Sequence, residues 1–426
     1  MRADLPANLP VNPPGNLPAR SNIESRDRLR LAVVSPFLDR QHGTERALSE
    51  VLERLARSYP CEIHLFAQQI AGLEVGSPND RDPSPGSRII WHRVATLPGP
   101  HLLQFLAWFF RNRTARQKAA RRSGVPFDLV LSPGINCSDA DVIIVHALFH
   151  SLRELSRNSP SPAGILRNLH RKIYYRLLTQ LETKLYRNRA VSLAAVSPRT
   201  KADLARYFQR EDVQIIPNAV DAKVFSPEAR LARRPEARHR YGFADDHFVL
   251  LLLGNDWTVK GLLTLLHALS LLPQLPLRLL VAGADTVEPF RQLAASLGVL
   301  DRCRWEPPSP DVMSFYATAD VYVSPSLEDS FAMPVAEAMA CGLPAITSTL
   351  AGISAFVEDG VNAFVLADPK DSHALAARLR YIYANIALRQ QVACAAACKA
   401  REWTWDNTAA QVWQLLSAAR TKKSEK

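Results

Sequence analysis

The chain has 426 residues, 47% of them hydrophobic and 22% charged, a globular composition too long for one comfortable core, so two domains are expected. The 52 Lys and Arg exceed the 41 Asp and Glu by 11, an excess that points to an anionic partner: a phosphate-bearing ligand, a membrane surface or nucleic acid. The six cysteines are scattered without zinc-type spacing, which argues against a disulfide or metal framework and for a reducing, cytosolic compartment.

Residues 1–27 are rich in Pro and Asn, lack an apolar signal-peptide core and read as a disordered leader. From Arg28 an alternation begins. LRLAVVSPF reads as a buried parallel strand and TERALSEVLERLARSY as a helix with Leu48, Leu52 and Leu55 on one face. CEIHLFAQ, RIIWHRV, FDLVLSP and DVIIVHA read as further strands; a helical region over about 152–189 leads into SLAAVSP. The longest apolar cluster, LLQFLAWFF at 102–110, is too short to span a bilayer.

The segment 213–240, with its Pro and Arg and no apolar periodicity, reads as a linker and surface segment. The alternation then restarts with HFVLLLLG, a helix, LRLLVAGA, a helix, CRWEPP, the DVMSFYATAD helix, VYVSPS, the VAEAMACG helix and LPAITST. The expectation is α/β architecture: two Rossmann-like doubly wound domains, 28–210 and 211–400, facing a deep cleft. A final helix over 404–419 is expected to return to the first domain, followed by a frayed basic tail at 420–426.

Ligands of such folds bind outside the carboxyl ends of the strands, so candidate residues should follow strands. GNDWTVKG puts Gly254 at a strand end and Lys260 at the next helix, where Lys can meet a phosphate as a point charge or simply be solvated. Neither a dinucleotide fingerprint nor a P-loop occurs. Asp139 and Asp141 form an Asp-x-Asp, read as strand-edge acids rather than as a metal site.

In SLEDSFAMPVAEAMACGLP, Pro334 suits a first helical turn and Gly342 a helix stop, so the helix start faces the cleft as an anion site. Glu337 one turn in could serve the helix dipole alone; with Asp329 eight residues earlier, the pair suits sugar hydroxyls. Glu328 is ranked a bystander. His146 and His150 compete for the cleft-facing place after DVIIV, with a structural histidine the alternative, and Gly43 and Thr44 open the first helix where a loop can approach a ligand closely.

Together these motifs resemble the retaining nucleotide-sugar glycosyltransferases of the group 1 (family four) type, which have the GT-B fold. The resemblance rests on SPSLEDSFAMPVAEAMACGLPAITS (Glu-x7-Glu), IIPNAVDAKVFSP, GNDWTVKG and HGTERAL, and on the last helix with Trp403 and Trp405, and covers about 28–420. It implies catalytic roles for Lys260, Glu337, Asp329 and His146. It implies donor contacts for Gly43, Asn255, Ser330, Phe331, Ala332, Met333, Val335, Glu306 and Pro307, with Lys260 and the helix start on the diphosphate, Glu337 on the ribose and the base beside WEPPSP at 305–310. The chain departs from the pattern at Asp329 for the first Glu, Asn255 for an Arg, Ala332 for a Gly, and at the N-terminal glycine pair, of which Gly43 alone remains.

The implied activity is metal- and cofactor-independent transfer of a hexose, with retention, from a UDP- or GDP-sugar to a glycan or glycolipid, in cell-envelope polysaccharide or lipopolysaccharide biosynthesis. The alternatives are a catalytically silent nucleotide-sugar-binding protein and a sugar-nucleotide epimerase. Segments 108–122 and 166–189 mix basic and apolar residues, which suits an anionic membrane surface near a lipid-linked acceptor at the inner face of the plasma membrane, or solvated helices with core-facing apolar sides. No nucleic-acid-binding module is recognisable.

Overall fold

The computed structural model describes residues 28–40, 42–77, 89–99, 101–158 and 165–425, with the side chains of 101 and 156–171 outside that description. The expected leader lies outside the described residues. In chain order the strands are β1 Leu29–Val34, β2 Phe37–Leu38, β3 Cys61–Ala67, β4 Gln69–Ile70, β5 Ile89–Arg93, β6 Leu129–Ser132, β7 Val142–Val145, β8 Ser192–Ala195 and β9 Gln214–Ile215. They continue with β10 Phe248–Leu253, β11 Leu277–Ala282, β12 Cys303–Glu306, β13 Val321–Val323, β14 Ala345–Ser348 and β15 Phe364–Leu366.

Two parallel sheets result, ordered β5-β3-β1-β6-β7-β8-β9 and β12-β11-β10-β13-β14-β15, with β2 and β4 forming a small separate pair. All six residues of β10 are buried, as a strand covered by helices on both faces requires, and its register runs from Phe248 opposite Leu277 to Leu253 opposite Ala282. In each sheet the strand order reverses at the centre, between β1 and β6 and between β10 and β13. Those are the points where the chain leaves in opposite directions and opens a crevice.

The helix after β1, Gly43–Ser58, buries Leu48, Leu52 and Leu55. The last helix, Trp405–Ser424, lies against it: Trp413 stacks on Tyr59 at 5.0 Å and the Thr408 hydroxyl donates to the Pro217 carbonyl at 2.9 Å. One apolar core runs through the contact between the two sheets' domains, joining Leu48 and Leu52 to Met333 and Met339.

Two features differ from expectation. The basic tail is not frayed: the last helix continues to Ser424, and Lys423 Nζ donates to the Asp128 carbonyl at 2.8 Å and to the Asp141 carboxylate at 2.9 Å. The helical region expected over about 152–189 holds the helices Phe149–Asn158 and Ile165–Tyr186. The linker segment contains the helix Pro227–Tyr241, started by Ser226, whose hydroxyl accepts from the Ala229 amide, and stopped by Gly242 in the left-handed region. Its inward face is basic. Arg230 donates to the Cys341 carbonyl at 2.9 Å, Arg234 to Asp320 at 2.5 Å and Arg238 to the Ala244 carbonyl at 2.8 Å, a four-residue spacing that lays three guanidinium groups along one side. Among the described residues no helix is long and apolar enough to cross a membrane.

Candidate functional site

The crevice is a cavity of about 830 Å³ lined from both domains, at the carboxyl ends of β1, β7, β10 and β13. After β10 the chain turns through Gly254, whose φ of 152° and closeness to the Lys260 stem (a Cβ would come within 2.9 Å of its Cε) leave room for no side chain. That lets Lys260 fold back over the strand end. Its Nζ donates to Asp329 Oδ2. Burial works against the ammonium charge, but the Asp329 carboxylate outweighs it and raises the Lys260 pKa, so the lysine is cationic throughout the neutral range.

Asp329 follows β13 on the loop to the helix Met333–Ala340. Its Oδ1 accepts from the amides of Ala332 at 2.7 Å and Phe331 at 3.2 Å, and its own backbone is tied to Leu350 and Gly352. The loop is thereby rigid. It also means that the Phe331 and Ala332 amides, expected to face a sugar, are engaged by Asp329. Ala332, immediately before the helix, has φ 73° and ψ 63°, the left-handed conformation that favours glycine. Ser330, Phe331, Ala332 and Met333 all line the cavity.

Glu337, 2% exposed, is one turn into that helix. Its Oε2 accepts from the hydroxyl of the buried Tyr316 at 2.7 Å. Its Oε1 accepts from Arg46 Nη2 of the first domain, an ion pair that crosses the cleft. Burial, and then the neighbouring Glu337 charge, push the Tyr316 pKa far up, so the phenol keeps its proton and remains a donor. Gly43, three residues before Arg46, sits over the start of the same helix: a Cβ there would lie 3.8 Å from the Met333 side chain.

Arg46 and Tyr316 were not among the sequence-derived candidates. Arg46 was visible only as the residue after Glu45 in HGTERAL, and nothing in the order of residues joins it to a carboxylate 291 positions away. Glu328 is no bystander in position: it lines the cavity, and burial, with Asp329 beside it, pushes its carboxyl up to about 7.

Of the two histidines, His146 lines the cavity, and burial lowers its pKa to about 4, leaving a neutral ring. His150 does not line it. Its Nδ1 lies 2.7 Å from the buried Glu182, which also accepts the Phe149 and His150 amides and so caps the helix Phe149–Asn158. Asn255 lines the cavity, with Oδ1 accepting from the Ala284 amide at 3.0 Å.

Three expected donor residues lie outside the lining. Val335 is fully buried in the core, and Glu306 turns to Arg304 Nε at 2.6 Å. Pro307 also lies outside, and the loop reaches the cavity just beyond it, at Pro308, Ser309 and Pro310. Asp139 is held by Arg116 at 2.6 Å and Asp141 by Lys423 and the Val130 amide, so both acids have structural partners. Among the described residues no three His, Cys, Asp or Glu side chains gather as a metal-holding group.

Comparison with known proteins agrees with this layout. Residues 42–224 match the model described as Glycosyltransferase Family 4, and residues 233–397 match that described as Glycosyl transferases group 1. A D-inositol 3-phosphate glycosyltransferase of Thermomonospora curvata is 32% identical over 226 residues, 49% of this chain and 52% of that protein. The match therefore spans about half the length of such relatives. Among solved structures, WaaG, a glycosyltransferase involved in lipopolysaccharide biosynthesis, superposes with a TM-score of 0.70 at 20% identity over 90% of this chain and 98% of its own. HepE of Anabaena in complex with UDP-glucose gives 0.67 at 17% identity over 92% and 100%. The two family models together run from the first helix to the end of the second sheet's domain: the chain belongs to the group 1 glycosyltransferases and has their GT-B fold.

Proposed function

We propose that the protein transfers a hexose, with retention of anomeric configuration and without a metal, from a UDP- or GDP-sugar to a glycan or glycolipid acceptor of the cell envelope. The observation that carries this reading is the grouping of Lys260, the start of the helix Met333–Ala340 and the buried Glu337 at one end of the cleft. A nucleoside diphosphate has a matching sequence of groups: hydroxyls for Glu337 and phosphates for the lysine and the helix start. The complexes of HepE with UDP and with UDP-glucose are of that ligand class.

In the reaction, the bond from the anomeric carbon to the diphosphate oxygen breaks as positive charge develops on the sugar. The bonding electrons leave with the diphosphate, where Lys260 and the positive end of the helix Met333–Ala340 stabilise them. The acceptor hydroxyl forms the new bond on the same face and its proton passes to the departing phosphate oxygen. Neutral His146 offers one donor and one acceptor to the transferred sugar, and Asp329, once the diphosphate competes for Lys260, holds a sugar hydroxyl.

The helix His101–Ser123 supports an acceptor at a lipid surface. Trp108 and Phe109 are core, while Leu103, Phe110, Arg111, Arg113, Arg121 and Arg122 are exposed on the other side. This reading places the protein in the cytoplasm, at the inner face of the plasma membrane. The test is nucleoside-diphosphate release with extracted envelope glycolipid as acceptor. Wild type turns over, and Lys260→Ala falls by about 100-fold or more while remaining folded. Donor binding without release for any acceptor would instead mark a silent binding protein, and equal turnover by Lys260→Ala would refute the site.

A further inference from the structure

Three cationic side chains line the cavity among the described residues: Arg40, Arg46 and Lys260. Arg40 is committed to Glu50 and Glu53, both at 2.6 Å, and to the Gly72 carbonyl at 2.8 Å. Lys260 is shared with Asp329. Asn255, at the end of β10, is uncharged, and its Oδ1 is occupied by the Ala284 amide. The carboxylates of the lining outnumber its cations, so Lys260 alone leaves a diphosphate in an unfavourable field.

Arg46 is differently placed. Among the described residues its side chain makes one hydrogen bond, from Nη2 to Glu337, and a guanidinium carries five N–H donors in a planar fork. Glu337 is four residues from the helix start, about 6 Å along the axis, so a group held on Glu337 is within reach of an anion at that start.

We infer that Arg46 is the second cation on the donor diphosphate, brought across the cleft by the first domain, with one edge of its guanidinium on Glu337 and the other on phosphate. The arrangement links the two domains through the ligand, since Arg46 belongs to one and Lys260 to the other. It also makes the grip on the diphosphate depend on cleft closure.

This inference rests on the nucleotide-sugar reading. The experiment is calorimetric titration of wild type, Arg46→Ala and Arg46→Ala/Asn255→Arg with UDP, uridine, GDP and guanosine. For the base that wild type binds, Arg46→Ala weakens the diphosphate by about 10- to 100-fold and leaves the nucleoside within about twofold. Asn255→Arg restores at least about tenfold of the loss. If Arg46→Ala is poorly folded, Arg46→Gln, which still hydrogen-bonds Glu337, must show the same split. Equal losses for diphosphate and nucleoside, or no loss for either, overturn the role of Arg46 alone. Failure of wild type to bind either diphosphate overturns this inference together with the reading beneath it.

Discussion

The ion pair across the cleft makes a quantitative demand on stability, separate from any reaction. Replacing Glu337 by Ala leaves the Arg46 guanidinium and the Tyr316 hydroxyl without their acceptor. The hydroxyl has an alternative in the Pro334 carbonyl 3.2 Å away, so its share of the loss is small. The arginine side chain is 20% exposed and its partner 3%, so water recovers only part of the arginine's loss. Breaking a buried pair from one side costs about 3–5 kcal/mol, and partial hydration places this one near 3 kcal/mol.

Removing Arg46 as well takes away the stranded charge. Glu337→Ala and Arg46→Ala are therefore coupled by about 1–2 kcal/mol, the double variant being more stable than the sum of the singles predicts. Scanning calorimetry of the four proteins measures this, with a fall of about 3–4 °C for Glu337→Ala in a chain of 426 residues. Single-variant losses that add to within about 0.5 kcal/mol would refute the reasoning, because they would mean the two side chains do not share an environment.

Ala332→Gly removes a left-handed alanine at the cost of some chain entropy, for a net gain of about 0.5 kcal/mol, read as a higher denaturant midpoint and a melting temperature about 0.5 °C higher. Gly261→Ala would drive a Cβ to 2.1 Å from the Pro325 carbonyl oxygen, whereas Gly242→Ala at a similar positive φ meets nothing within 4 Å. Soluble yield and melting temperature should collapse for the first, and the second should lose only about 1 kcal/mol. The Glu328 carboxyl is held up at about 7, above its usual value near 4.5, chiefly by burial. The folded chain then binds more protons than the unfolded one between those values, and the contribution of this group is full below pH 4.5 and lost as pH rises through 7. Glu328→Gln should gain stability relative to wild type as pH rises across that window, and a constant difference would remove the basis for the shift.

Much of the fold was legible because its cores are apolar and periodic. HFVLLLLG could be little other than a strand covered on both sides, and its place after a Pro- and Arg-rich break marked the second sheet. That Lys260, Asp329 and Glu337 would line the crevice was legible because each lies in a segment after a strand end that the doubly wound order turns toward it. The helix Pro227–Tyr241 was not, because its packed face carries three arginines bonded to Asp320 and to carbonyls and only Ala237 and Tyr241 as buried apolar residues, and a search for apolar spacing passes over it. Its start was nonetheless written in Ser226-Pro227 and its end in Gly242. Glu306 was placed one side-chain direction wrong, its neighbour Arg304 taking it along the strand rather than into the cavity. Arg46 was beyond reach for a different reason: its partner is set by how the two domains meet.

The most direct test of the account is a melting-temperature panel of UDP-, GDP- and ADP-sugars against wild type and Lys260→Ala. A donor held at 100 times its dissociation constant by the folded state adds about 2.7 kcal/mol. The account predicts that a UDP- or GDP-sugar raises the wild-type melting temperature by several degrees and raises that of Lys260→Ala far less. No shift with any donor, or an equal shift in both proteins, would contradict it.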